Sequence, residues 1–403
     1  MFSKGGFMRK ILAALACAMC ISLTGGAWAD DMIVEKKTFD LPEMATIGGK
    51  TIKNIKIGWE SYGTLNADKS NAILVNHFFS GTSHAAGKYA ATDKAAGYWD
   101  AIIGPGKAVD TNKYYVIASD TLVNLNTGDP KVVTTGPASI DAATGKPYAL
   151  SFPLVTIGDF VRVQKALVDS LGIKKLHTVM GPSMGGLQTW EWAATYPDMM
   201  ERIMPVIAAA DPGPWLIEWL NIWASPILVD PKWNGGDYYG REAPVAGLTA
   251  ALKIVSMHAN HFLWAEKTFG VALADPARDP LAALGNGYKI EAALDAGSAA
   301  RAALSDANHF LYLVKANQTF VPGAGAGAKT AAEGLKRIKA RTLILYSPTD
   351  QVFQPEWVKA SAEALKANGV SVETGEIAGP LGHLNGVLLM GPMGPKIAEF
   401  LGK

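Results

Sequence analysis

Residues 181–185 read Gly-Pro-Ser-Met-Gly, and their setting constrains the chain more than any other feature. A β-rich run, Leu176 to Met180, precedes them, and a helical pattern, Gly186 to Ala193, follows. A strand, a sharp turn and a helix holding Gly-x-Ser-x-Gly form a nucleophile elbow. Glycines two positions either side of Ser183 let the backbone turn tightly and let helix and strand approach closely. The serine Oγ is thereby presented outward. The N–H of Met184, at the helix start, is aimed where negative charge develops during attack on a carbonyl.

The rest of the chain fits an α/β core. Apolar β-rich runs at Ile55–Tyr62, Ala72–His77, Tyr114–Ser119, His177–Met180, Ile203–Ile207 and Thr342–Tyr346 alternate with helical patterns. Near-continuous apolar strands between helices predict a mostly parallel, twisted sheet covered on both faces. Phe160–Leu171 carries apolar residues at close to a 3.6-residue period. A further helix opens at Pro355 and is stopped by Asn368-Gly369.

Residues 1–29 read as a secretory leader. Lys4, Arg9 and Lys10 precede a short apolar core, and Ala27-Trp28-Ala29 offers a cleavage site before Asp30-Asp31. The apolar core is too short to span a bilayer, so no stable membrane insertion is expected after cleavage. A periplasmic or secreted product is expected. Both cysteines, Cys17 and Cys20, lie in the leader, so the mature chain can form no disulfide and offers no thiol nucleophile. The leader holds three of the 37 basic and none of the 36 acidic residues, leaving a net charge near −2. With no polybasic block, nucleic acid is an unexpected partner. A homodimer stays open.

The strand–helix alternation breaks between about Asp211 and Leu335. Trp215, Trp219, Trp223, Trp233 and Trp264 fall here, and the first three share one helix face. This region reads as a helical lid insertion, residues 211–335. The core would then comprise residues 30–210 and 336–403. The Gly/Ala alternation from Pro322 to Lys329 reads as a flexible linker.

Ser183 needs a base and a group to orient it. Elbow enzymes of this type place the acid and then the histidine after the serine in the chain. Asp350 follows the predicted strand Thr342–Tyr346. His383 is the only histidine after Asp350, in a loop beyond the strand-like Val372–Ile377. Its near-neutral unperturbed pKa suits proton exchange. A second oxyanion donor is expected from the loop Asn76–His84, with the Phe79 N–H as the candidate beside that of Met184. His77 and His84 lie seven residues apart with no carboxylate cluster nearby in the sequence. They are read as structural, and no metal is expected.

With these residues assigned, the chain resembles the homoserine O-acetyltransferase family of α/β-hydrolase fold enzymes from about Ile55 to Lys403. The similarity is dense in 71–87, 98–108, Thr135–Ile140 and Gly181–Ala193. It resumes in Asp230–Tyr239, Asp306–Asn308 and Phe310–Leu313. The resemblance implies an acyl-enzyme mechanism with Ser183, Asp350 and His383. It also exposes two departures. In that family an aspartate follows the catalytic histidine and holds the substrate amine; here Leu384 stands there. A lid arginine in the family pairs with the substrate carboxylate; here Leu252 takes its place, and the adjacent Lys253 is turned about 100° away on a helix. Leu252 and Leu384 are therefore expected to line an apolar substrate pocket. These observations predict an exported serine hydrolase that cleaves a neutral ester of a small-molecule acyl substrate without a cofactor. An O-acyltransferase acting on another acceptor is the alternative.

Overall fold

The computed structural model describes residues 32–403. The expected leader, residues 1–29, lies outside the described residues. Eight strands form the central sheet: β1 (Lys37–Ala45), β2 (Thr51–Tyr62), β3 (Ala72–Asn76), β4 (Tyr115–Ser119), β5 (Leu176–Pro182), β6 (Met200–Val206), β7 (Arg341–Tyr346) and β8 (Val372–Glu376). Their order across the sheet is β1-β2-β4-β3-β5-β6-β7-β8. From β4 through β8 all pairs are parallel, whereas β1–β2 and β2–β4 are antiparallel.

Strand β3 shows why the core strands read as unbroken apolar runs. Ala72, Ile73, Leu74, Val75 and Asn76 are all buried, because helices cover both faces of the sheet. Ile73 and Val75 enter one hydrophobic cluster and Ala72 and Leu74 the other, as the two-residue strand period requires. Strand β1 escaped the sequence reading. It is an edge strand whose residues alternate between half-buried and exposed, so it carries no continuous apolar run.

Two core helices are fixed at their ends by contacts that the apolar pattern did not carry. Helix α1 (Ile157–Ser170) starts in a reciprocal capping box between Thr156 and Asp159. Asp159 also accepts the Ile47 N–H at 2.7 Å, tying the helix to the β1–β2 hairpin. Helix α2 (Met184–Thr195) follows the elbow directly and is buried along nearly its whole length.

Between β6 and β7 the sheet pauses for α3 (Gly213–Leu228), α4 (Val245–Ala259), α5 (Phe262–Thr268), α6 (Lys289–Ala302), α7 (Ala307–Gln318) and α8 (Ala331–Leu335). Helix α3 packs on α4 and α7, and α4 on α6. Helix α9 (Pro355–Ala367) has Pro355 in its first turn and Gly369, at φ 81°, just past its end. Helix α10 (Gly394–Gly402) closes the fold.

The Gly/Ala run at 322–329 is not a free linker. The buried Glu191 carboxylate on α2 accepts the Gly323 N–H at 2.6 Å and the Gly325 N–H at 2.9 Å. Arg337 then donates to the Ala194 carbonyl at 2.7 Å. The chain thus returns to the core over α2, held by partners that composition cannot reveal.

Candidate active site

The elbow is built by close approach of backbones. A Cβ at Gly185 would lie 2.2 Å from the Asn76 carbonyl oxygen, and one at Gly181 2.5 Å from the same atom. No real Cβ tolerates such contacts, so only glycine lets α2 begin against the end of β3. Between these glycines Ser183 sits at φ 56°, ψ −121°, a left-handed conformation that L-residues rarely adopt. Its backbone is pinned on both sides. Its N–H donates to the Val206 carbonyl at 2.9 Å, and its carbonyl accepts from Gly186 at 2.7 Å and Leu187 at 3.0 Å.

This strain points the hydroxyl at His383, whose Nε2 is 2.8 Å from Ser183 Oγ. His383 Nδ1 lies 2.8 Å from Asp350 Oδ2. The other Asp350 oxygen accepts the Val352 N–H at 2.8 Å and the Phe353 N–H at 3.0 Å. The carboxylate is therefore fixed in direction, and with it the imidazole plane, which also packs on the Phe353 ring. Ser183, Asp350 and His383 are all buried. The structure thus brings together three residues that lie as much as 200 positions apart.

Phe79 and Met184 lie in the two segments expected to supply the oxyanion donors. Phe79 is buried in the loop after β3, and Met184 is the first residue of α2. Among the described residues, neither the Phe79 nor the Met184 N–H donates to an acceptor. The Phe79 ring meets Trp223 edge-on at 5.5 Å and Phe310 at 5.2 Å.

The tryptophan stripe on α3 grades from solvent to site. Trp215 is 55% exposed, Trp219 half-buried and Trp223 only 5% exposed. Trp219 stacks on His258 of α4 at 4.1 Å. His258 Nε2 meets the Gln351 carbonyl at 2.9 Å, next to Asp350. Burial holds the His258 imidazole down at about 4, so it is neutral at ordinary pH.

The two leucines expected to line a pocket differ in burial. Leu252 is fully buried on α4 in the cluster that also holds Leu248, Val255 and Trp223. Leu384 is half-buried and packs against the cluster on the other face of the sheet. Lys253 points outward and pairs with Asp295 on the surface.

Several supporting residues carried no sequence signal. Asn385 is buried. Its Oδ1 accepts the Leu381 N–H at 3.0 Å, and its Nδ2 donates to Ser347 Oγ at 2.9 Å and the Gly379 carbonyl at 3.1 Å. It ties the histidine loop to the strand end that carries Asp350. Glu60 anchors the far end of the Asn76–His84 loop. It takes hydrogen bonds from Ser83 at 2.9 Å, Tyr62 at 2.9 Å and Tyr89 at 2.7 Å, and meets His84 at 3.0 Å and the Lys36 ammonium at 3.2 Å. Burial pushes its carboxyl up, but the His84 hydrogen bond, the Lys36 charge and the Tyr89 hydrogen bond outweigh it and hold the group at about 2. His77 and His84 face different partners. The His77 ring meets Phe78, Thr121 and Asn124, whereas His84 meets Glu60. Among the described residues no group of three or more potential metal ligands forms.

The sequence profile of the alpha/beta hydrolase fold family matches residues 73–385. The homoserine O-acetyltransferase of Methanococcus vannielii is 38% identical over 374 residues, 91% of this chain and 73% of that protein. That of Carboxydothermus hydrogenoformans is 35% identical, covering 92% of this chain and 95% of its own. Among solved structures, esterase E22 is 47% identical with a TM-score of 0.86, covering 92% of this chain and 100% of that one. The homoserine O-acetyltransferase from Bacillus anthracis is 36% identical with a TM-score of 0.87, covering 92% and 98%.

Proposed function

The chain belongs to the α/β-hydrolase fold family, among its homoserine O-acetyltransferase-like members, and on that premise we propose that it is a serine esterase. It would take an acyl group onto Ser183 and pass it to water. The observation that carries this reading is the unbroken relay from Ser183 Oγ through His383 to Asp350, with both links at 2.8 Å.

In the first half-reaction Ser183 Oγ attacks the ester carbonyl while His383 Nε2 takes its proton. Asp350 stabilises the imidazolium and keeps Nε2 facing the serine. The oxyanion lies between the N–H groups of Phe79 and Met184. Collapse breaks the ester C–O bond, and His383 returns the proton to the departing alcohol. Water then attacks the acyl-Ser183 carbonyl, giving a proton to His383. The second collapse releases the acid and restores Ser183.

Two observations favour water and neutral substrates. Leu384 directly follows His383, where the resembled family carries an aspartate for the substrate amine. Lys253 is engaged with Asp295 at the surface and offers no cation to a substrate carboxylate. A zwitterionic amino acid would leave its hydration shell without these charged partners, each charge-assisted bond being worth about 1.5–3 kcal/mol. Similarity to an esterase supports the same reading. The second reading is acyl transfer to an alcohol, and the several relatives named homoserine O-acetyltransferase favour it.

The test is a series of p-nitrophenyl esters from acetyl to decanoyl, with and without an added alcohol. It is paired with an incubation in acetyl-CoA and homoserine. Turnover of neutral esters to free acid supports hydrolysis. Efficient formation of O-acetylhomoserine would replace it with the second reading.

A further inference from the structure

Two backbone N–H groups from distant segments must meet one oxygen in this reaction. The Phe79 N–H comes from the loop after β3, and the Met184 N–H from the start of α2. Gly185 lets the two segments touch, since a Cβ there would lie 3.1 Å from the His77 carbonyl oxygen. Contact alone does not fix their relative orientation. A set of buried hydrogen bonds does.

Trp192 Nε1 can only donate, and it reaches Gln164 Oε1 at 2.8 Å. Gln164 Nε2 must then face the neighbouring amide, and it donates to Gln188 Oε1 at 2.6 Å. Gln188 Nε2 is thereby turned toward two carbonyls, that of His77 at 3.2 Å and that of Met184 at 3.3 Å. Each amide orientation follows from a donor-only group at one end and acceptor-only groups at the other. Gln164, Gln188 and Trp192 are all buried, so water does not compete. One carboxamide therefore bridges the Phe79 loop and the Met184 turn.

The loop is fixed a second time by His77. Its Nε2 accepts the Thr121 N–H at 3.2 Å, so the ring proton sits on Nδ1. Nδ1 donates to the Phe78 carbonyl at 2.7 Å, and that oxygen also accepts the Gly81 N–H at 2.9 Å. In a trans peptide the carbonyl and the following N–H point in opposite directions. Holding the Phe78 oxygen on the His77 side turns the Phe79 N–H the other way.

We propose that His77 and Gln188 are positioning residues that aim the two halves of the oxyanion hole at a single point. Neither touches the substrate; both act through backbone groups. The inference rests on the acyl-Ser183 reading.

Three variants test it: Gln188→Met, His77→Leu and His77→Asn. Methionine keeps the shape of Gln188 and removes both bridging bonds. Leucine removes both ring nitrogens of His77. Asparagine places an amide nitrogen where Nδ1 was and loses only the bonds that Nε2 takes from Thr121 and Asn124. Active sites are first counted by fluorophosphonate labelling. Then kcat and KM for p-nitrophenyl butyrate are measured per labelled site. Affinity for a trifluoromethyl ketone, whose hemiketal oxygen occupies the oxyanion position, completes the set.

Removing one oxyanion donor costs about 100- to 1,000-fold in kcat, so misaiming one should cost about 10- to 100-fold. Gln188→Met and His77→Leu are expected to lose that factor in kcat and in ketone affinity, with KM little changed. His77→Asn is expected to recover most of the activity despite a lower melting temperature. If kcat per labelled site stays within about twofold in the first two variants, or if activity simply follows stability across all three, the inference is overturned. Failure of the wild type to label would overturn the acyl-serine reading and this inference with it.

Discussion

Ser183 can be tested for stored strain by comparing two inactive variants, Ser183→Ala and Ser183→Gly. Both lose the hydroxyl and its bond to His383, so that loss cancels between them. They differ in the backbone. At φ 56° and ψ −121° an alanine keeps the steric cost of the native serine, about 1–3 kcal/mol for such a conformation. Glycine adopts it freely. Glycine also makes the unfolded chain more flexible, which at an unstrained position leaves it less stable than alanine by about 0.4–1 kcal/mol. At Ser183 strain relief should exceed that penalty, making the glycine variant more stable by about 0.5–2 kcal/mol. For a chain this long that is about 1–3 °C in melting temperature. Because Ser183 is held from both sides by Val206, Gly186 and Leu187, the backbone has little freedom to relax in the alanine variant. Urea unfolding with matched m-values is the assay, since it compares the two chains at one temperature. Alanine equal to or more stable than glycine would show that the elbow stores no strain at this residue.

Other expectations follow from the site. Ser183→Ala should leave a folded protein with less than about a tenth of wild-type hydrolysis; greater residual turnover would contradict the nucleophile assignment. Leu384→Asp should weaken neutral-ester turnover by placing a carboxylate beside His383, read as kcat/KM across the ester series. Leu252→Arg should instead impair folding, because the guanidinium would enter a closed core without a partner, and a soluble, equally stable variant would contradict the packing seen here. His258 is held neutral by burial to about pH 4, whereas the unfolded chain takes up that proton near 6.5. Stability due to His258 is therefore complete above pH 6.5 and lost as pH falls toward 4. His258→Phe should flatten the stability–pH slope in that window by about 1.4 kcal/mol per pH unit; an unchanged slope would refute the shift. Export is expected to leave Asp30 as the first residue, and intact-mass measurement of secreted protein checks it.

The sequence by itself determined the parallel core and the three side chains that meet at its edge. Short apolar runs such as Ala72–Val75, alternating with helical patterns, read as strands buried on both faces. The elbow motif has one stereochemical solution once strand and helix flank it. Ser183, Asp350 and His383 were legible because each follows a strand, and strand ends on one edge of a parallel sheet converge. The edge strand β1 was not legible, since half its residues face solvent. The Gly/Ala run at 322–329 misled because composition reports backbone freedom but not the Glu191 carboxylate that removes it. Leu252 and Leu384 occupy informative positions in the sequence, yet only packing shows that they face different clusters. The clamp of Gln164, Gln188 and His77 was invisible for the same reason. A glutamine in a helix states its capacity to donate and accept, but the direction of each bond depends on neighbours 24 and 111 residues away. Local rules set the elements and the reacting groups. The aim of the groups at one another is a property of long-range contacts, which exist only once the chain has folded.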